Sequence, residues 1–222
     1  MDKRLKQLIA TVRRQSKQAR HLLVPLSGGT DSALAWYILN QAAPGRCIGV
    51  HVGTHLSGHD WLSSQGGMIY VVPEIEGFED KEAMRWAYLA GRARKEDAWL
   101  VSTRNWSEDK LGTYSLTSRI ATYLPIVGVP KSVVMELCES IGIPADVRAS
   151  SRRADPDCGR PQELADVPLE LIDEFLFKKE GILPRGYSYA LTREHSKYLN
   201  GIYKYTRFKE HVPIRGAIIL PR

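Results

Sequence analysis

Leu26-Ser27-Gly28-Gly29-Thr30-Asp31-Ser32 joins a short apolar run, His21 to Leu26, to a helical pattern running from Asp31 to Gln41. A buried strand that turns sharply into a helix is the repeating unit of an α/β sheet. The two glycines permit a tight turn and let backbone N–H groups come close to an anion. The helix that follows adds unpaired N–H donors and the positive end of its dipole. Ser27 and Ser32 can donate hydroxyl hydrogen bonds to phosphate oxygens. Asp31 alone would repel a phosphate, and a magnesium ion between carboxylate and phosphate resolves that conflict. No lysine follows the glycines, so the loop is not of the GxxxxGK[ST] type. A plain strand-to-helix turn with Asp31 as N-cap is the simpler alternative. It leaves two glycines and two serines without a purpose.

Outward from this loop the pattern repeats. Cys47 to Val52, Met68 to Val72 and Ala98 to Ser102 read as strands. Leu5, Leu8, Ile9 and Val12 have helical spacing, and helices are expected at Lys81 to Lys95, Lys131 to Ile141, Pro168 to Lys179 and Leu191 to Tyr205. Strands alternating with helices predict an α/β fold, a parallel sheet with helices on both faces. Residues 1–222 are expected to form a single domain, with a basic helix at 1–20 and a polar, turn-rich functional loop at 148–162. The segment after the second strand, GTHLSGHDWLSSQGG, reads as a loop, and the tail HVPIRGAIILPR carries no assignment.

A hydrophobic fraction of 43% with 25% charged residues is that of an ordinary globular chain, and no stretch approaches the run of about 20 apolar residues that spans a bilayer. The basic N-terminus lacks the apolar centre of a secretion signal, so a cytoplasmic location is expected. The three cysteines, Cys47, Cys138 and Cys158, are far apart and suggest neither a disulfide framework nor a CxxC site. The net charge of +6 suits a polyanionic ligand. Much of it lies at Lys3, Arg4, Lys6, Arg13, Arg14, Lys17 and Arg20, a cluster without interleaved aromatics, which reads as a solvated helix face rather than a nucleic-acid patch.

The hexapeptide Ser27 to Ser32 is the signature of the PP-loop ATP pyrophosphatases, and the later segments resemble the NAD synthetase family among them. The resemblance rests on Ser102-Thr103-Arg104-Asn105-Trp106-Ser107-Glu108, Leu124 to Lys131, Gly142-Ile143-Pro144, Glu163-Leu164, Ile172-Asp173 and Lys209 to Pro213, in order along almost the whole chain. It implies a PP-loop fold and an AMP-forming ligase that adenylates a carboxylate, releases pyrophosphate and forms an amide with ammonia. By the same resemblance ATP would be held by Ser27, Gly28, Gly29, Ser32, Thr103 and Lys131, and magnesium by Asp31 and Glu108. Asp31 and Lys131 would be the catalytic pair, Lys131 neutralising charge on the departing pyrophosphate. The family implies a homodimer, with a small carboxylate such as deamido-NAD as acceptor. A glutaminase domain is not expected in 222 residues, which leaves free ammonia or a partner as the nitrogen source.

The acceptor half departs from the family. Glu79 and Ala83 stand where an Asn-x-x-x-Arg pair is usual, with Arg85 nearby, and Ser115-Leu116-Thr117-Ser118-Arg119 replaces Thr-Lys-Tyr-Gly-Asp. Arg119, Arg153 and Asp155 are candidate acceptor contacts, with Arg152 alongside, and the arginines suit an acidic or phosphorylated acceptor or, equally, a solvated surface. Two other functions remain to be tested. A PP-loop tRNA-modifying enzyme needs catalytic cysteines, often paired, and here only Cys158 lies in a polar loop; a non-catalytic nucleotide-binding module would bind ATP without cleaving it. His51, His55 and His59 recur at every fourth position, but Gly53, Gly58 and the strand at 47–52 argue against a helical zinc site.

Overall fold

A computed structural model describes residues 1–74, 77, 79–151, 153–154, 160–182 and 190–211. Strands β1 (His21–Pro25), β2 (Cys47–Val52), β3 (Met68–Val72) and β4 (Ala98–Leu100) form one sheet in the order β3-β2-β1-β4, every adjacent pair parallel. Leu22 pairs with Cys47 on one side of β1 and with Trp99 on the other. The chain thus moves outward from β1 to β3 and returns to place β4 on β1's free side.

Because successive strand residues face opposite ways, β1 feeds two cores. Leu22 and Val24 pack with α1 (Lys3–Gln15), α2 (Thr30–Ala42) and α6 (Lys131–Ser140), through Leu5, Ile9, Leu34, Ile38, Val134 and Leu137. Leu23 packs on the other face with Val50, Leu100 and the Trp86, Leu89 and Ala93 side chains of α4 (Lys81–Lys95). Helices therefore cover both faces, as the alternating pattern predicts. Leu5, Ile9 and Val12 are the buried stripe of α1, while all seven basic residues of its segment are exposed. Among the described residues no helix is long and apolar enough to cross a membrane.

The expected loop 53–67 contains a short helix, α3 (His59–Ser64). Six residues are too few to show periodicity, and tertiary contacts hold them: Leu62 is buried, and its carbonyl accepts the Trp36 indole N–H at 2.8 Å. β4 ends at Leu100 rather than Ser102, because its next neighbour reaches it only through a Val101–Tyr123 bridge and the Ser102 N–H to Tyr123 O bond. The expected loop 148–162 begins inside α7 (Ala145–Ser150), its last residue starts α8 (Gln162–Ala165), and residues 152 and 155–159 lie outside the described ones. A third cluster joins α5 (Trp106–Leu111), α9 (Leu169–Lys179) and α10 (Arg193–Thr206) through Leu111, Phe175, Leu176, Leu199 and Tyr203. Trp106 stacks on Phe177 at 5.0 Å, which fixes α5 against α9.

Candidate active site

In an open parallel sheet, ligands bind beyond the carboxyl ends of the strands where the strand order reverses. That point lies between β1 and β4. The loop after β1 carries Ser27 to Asp31, the loop after β4 carries Thr103 to Asn105, and both line one cavity of about 580 Å³ with Glu108 and Lys131.

Gly28 has φ +81°, a conformation that favours glycine, and a Cβ there would crowd the Ser57 nitrogen at 3.2 Å. Gly29 has ordinary dihedrals and serves as N-cap of α2, with no side chain capping the helix. Its N–H donates to Ser27 Oγ at 3.2 Å. The uncapped N-terminus points its dipole at the cavity, the arrangement that accepts a phosphate. Ser32 is buried and donates to Gly29 O at 2.9 Å, bracing the loop from behind.

Asp31 sits in the first turn of α2 without capping it. Its Oδ1 accepts from Asn105 Nδ2 at 2.9 Å, and its Oδ2 pairs with Lys131 Nζ. Lys131 Nζ also donates to Thr30 Oγ1 at 3.1 Å, and the side chain is 8% exposed. Asn105 caps α5: its Oδ1 accepts from Glu108 N at 3.0 Å, while Asn105 N donates to Glu108 Oε2 at 3.2 Å. This reciprocal capping box orients Asn105 so that its amide nitrogen is left for Asp31. Glu108 still borders the cavity, but surrounding protein and the Asp31 carboxylate push its pKa up to about 7, against the attraction of Lys131.

Lys131 is set by its backbone as well. Its N–H donates to Ser107 Oγ at 2.8 Å, Ser107 donates to Asp173 Oδ1, and Asp173 Oδ2 accepts from Ser132 N at 2.8 Å. Asp173 is fully buried on α9, and burial raises its pKa against these bonds. One carboxylate therefore ties the start of α6 to the helix that carries Glu108.

The NAD synthase family model matches residues 78–213, well over half of the chain. The chain belongs to the NAD synthase family. As a member it is an ATP-dependent amide-forming ligase. No curated protein sequence matches it. Among solved structures, the NMN synthetase from Francisella tularensis superposes with a TM-score of 0.75 at 18% identity, over 96% of this chain and 97% of that one. The NH3-dependent NAD synthetase from Campylobacter jejuni gives 0.71 at 17% identity over 100% of both chains. The NAD+ synthetase from Burkholderia pseudomallei gives 0.68 at 18%, over 96% and 91%. At these identities the likeness establishes the fold, which is that of the NAD synthetases.

On this NAD synthase scaffold the residues expected from sequence do not all meet. Ser27, Gly29, Asp31, Thr103, Glu108 and Lys131 share the cavity wall; Gly28 and Ser32 shape the loop behind it. Arg153 reaches the cavity but is exposed. Arg119 lies beside it, donating to Tyr114 Oη at 3.1 Å. Asp155 lies outside the described residues, as do Arg152 and Cys158. Glu79 precedes α4, whose N-cap is Asp80, so it stands off the helix, while Ala83 and Arg85 are on it. Arg85 borders the cavity and is paired with Glu74 at 3.2 Å and Glu82 at 3.7 Å. Thr30, Asn105, Ser107 and Asp173 were not singled out for the site from sequence; only the Asn105-x-x-Glu108 spacing carried a local signal, that of a capping box. His51 lies on β2 with Nδ1 2.6 Å from Leu26 O, and among the described residues no group of three or more His, Cys, Asp or Glu could hold a metal ion.

Proposed function

We propose that the chain makes the amide of a pyridine-ring carboxylate carried on a nucleotide, using ATP and ammonia. The observation that carries this reading is the convergence of Asp31, Asn105, Glu108 and Lys131, from three separate segments, on the uncapped N-terminus of α2. Deamido-NAD is the first acceptor to try, and the likeness to an NMN synthetase makes the corresponding mononucleotide the second. A homodimer of one-domain subunits, with free ammonia as nucleophile, accompanies this reading.

The triphosphate lies along the Ser27–Thr30 loop, its oxygens facing the first-turn N–H groups of α2 and the Ser27 hydroxyl. Magnesium fits the residues present: Asp31 and Glu108 border the same cavity and would hold it, and its charge would relieve their mutual repulsion. Bound there, the ion supplies neutralisation of the triphosphate charge. Lys131, held toward the loop by Thr30 and Asp31, meets the charge that develops on pyrophosphate as the acceptor carboxylate attacks the α-phosphorus. Ammonia then displaces AMP from the acyl-adenylate, and the carboxylate becomes an amide.

Sulfur transfer to tRNA is disfavoured by the described thiols. Cys47 and Cys138 are buried in the core, and burial pushes both up to about 12, so neither is a thiolate near neutral pH.

The deciding measurement is pyrophosphate release with ATP, magnesium and ammonium, in the presence and absence of deamido-NAD or its mononucleotide. Release that depends on one of these acids, with the matching amide as product, is expected. ATP binding without release, whichever acid is supplied, would sink the ligase reading and favour a nucleotide-binding module.

A further inference from the structure

Arg104 follows Thr103 in the extended segment after β4, where consecutive side chains face opposite ways. Asn105 faces the phosphate loop, and Arg104 faces away from it. Its guanidinium carbon lies 3.9 Å from the centre of the Tyr114 ring, and the side chain is 8% exposed. Nε is 3.1 Å from Asp109 Oδ1, in ion-pair range but misaligned for a hydrogen bond, and neither Nε nor Nη1 has a hydrogen-bond partner among the described residues. Two more cations crowd the same ring: Arg119 at 5.7 Å and Lys209 at 5.1 Å. Lys209 is held there by the Gly112 and Tyr114 carbonyls at 2.8 and 2.7 Å, groups that carry no formal charge. Burial and the neighbouring cations weaken the hold of Arg104 and Lys209 on their protons.

A largely buried guanidinium with two nitrogens unpartnered among the described residues and like charge alongside, offset by Asp109, is stabilised further by an anion brought to its cavity-facing edge. Arg104 and Tyr114 border the same cavity as Asp31, together with the hydroxyl-bearing Thr113, Ser115 and Ser118. A planar guanidinium edged by hydroxyls is suited to a phosphate ester.

We infer that Arg104, stacked on Tyr114 and backed by Arg119 and Lys209, binds the phosphate of the acceptor. Arg104 thereby sets the preference for the phosphorylated acid over the phosphate-free acid. The ATP phosphates belong to the other side of the cavity, where Lys131 and the α2 N-terminus lie. This inference rests on the ligase reading only in calling the ligand the acceptor; the anion subsite can be measured without turnover.

The experiment compares equilibrium binding of nicotinate mononucleotide and of its phosphate-free riboside to the wild-type chain, Arg104→Met and Arg104→Lys. ATP-induced thermal stabilisation of each variant reports that it is folded. Wild type is expected to favour the mononucleotide by about 10- to 100-fold, the worth of a charged hydrogen bond or two. Arg104→Met should reduce that preference to about 3-fold or less, and Arg104→Lys, which keeps charge without the fork, should fall between. ATP binding should stay within about 2-fold of wild type in both, since the two subsites are separate. Equal binding of the two acids by wild type overturns the proposal, as does an unchanged preference in Arg104→Met. A loss of ATP binding that matches the loss of mononucleotide binding would place Arg104 with the triphosphate and overturn it too. If a variant fails to fold, the same comparison on Arg119→Gln decides: a preference that drops supports the cluster, and one that is unchanged overturns it. Mononucleotide binding through Arg104 without pyrophosphate release would sink the ligase reading and leave this one standing; release without phosphate preference would do the reverse.

Discussion

The two sides of the cavity handle charge in opposite ways. Around the α2 N-terminus, opposite charges are interlocked: Lys131 pairs with Asp31, Asp31 accepts from Asn105, and Asn105 is fixed by Glu108. Around Tyr114, like charges gather: Arg104, Arg119 and Lys209 lie 3.9, 5.7 and 5.1 Å from the ring centre, with Asp109 as Arg104's carboxylate partner. The first side is preorganised before ligand arrives, as suits a group that must meet a transition state. The second gathers positive charge at the cavity wall, as suits a group that selects an anionic substrate. Variants on the first side should therefore alter kcat, and variants on the second should alter acceptor affinity.

Lys131→Met is the hardest test of that contrast. Removing one preorganised cation from a developing charge should lower kcat by about 10²- to 10³-fold. Breaking a buried ion pair should also cost about 3 kcal/mol or more of stability, read by denaturant unfolding. A variant that kept kcat and changed only acceptor affinity would erase the distinction between the two sides.

Glu108→Gln gives the next largest effect and a pH signature. The folded pKa of about 7 lies above the ordinary 4.5, so the fold disfavours the ionised form. The resulting cost is absent below pH 4.5, accumulates as pH rises toward 7, and is fully present above it. Glutamine can still accept from Asn105 N and keep the capping box, but it carries no charge. The variant should match wild type at pH 4, then exceed its melting temperature by about 2–8 °C at pH 8. Its affinity for magnesium–ATP should be lower and flat with pH, whereas that of wild type tightens as pH rises through about 7. A constant difference in melting temperature across this range would disprove the raised pKa.

Ser107→Ala should be the smallest. It removes the acceptor for Lys131 N and the donor to Asp173, at a cost of about 1–2 kcal/mol in stability. Because it loosens the seat of Lys131 without touching the ammonium, kcat should fall only about 3- to 10-fold, with acceptor affinity unchanged. A shift in acceptor affinity instead would mean that the two sides are mechanically coupled through α5.

The strands at 47–52 and 68–72 were legible as short apolar runs, as befits a parallel sheet covered on both faces, and the helix at 81–95 by its period of 3.6. α3 was not legible, because six residues held by Leu62 and Trp36 leave no periodic trace. The phosphate loop could be read because its chemistry is local: Gly28, Gly29 and Asp31 act through the backbone they share. The partners of Asp31 could not. Asn105 and Lys131 lie 74 and 100 residues further along, and the pairing of β1 with β4 and the packing of α6 on α2 make them neighbours. Resemblance supplied Lys131 and Glu108, but Asn105 and Asp173 serve the site through hydrogen bonds that a position in sequence does not express.

Ser27 to Ser32 by itself determined a strand, a tight turn and an open helix N-terminus suited to phosphate, since backbone conformation and dipole depend on near neighbours. Tertiary structure decided the rest. It brought Lys131 and Asn105 onto Asp31, turned Ser32 inward, raised the Glu108 pKa by burying it beside Asp31, and gathered Arg104, Arg119 and Lys209 around Tyr114. The physical reason is one of range. Burial and Coulomb energy depend on distances through space, and those are set by the order in which strands pair, not by the order in which residues are written.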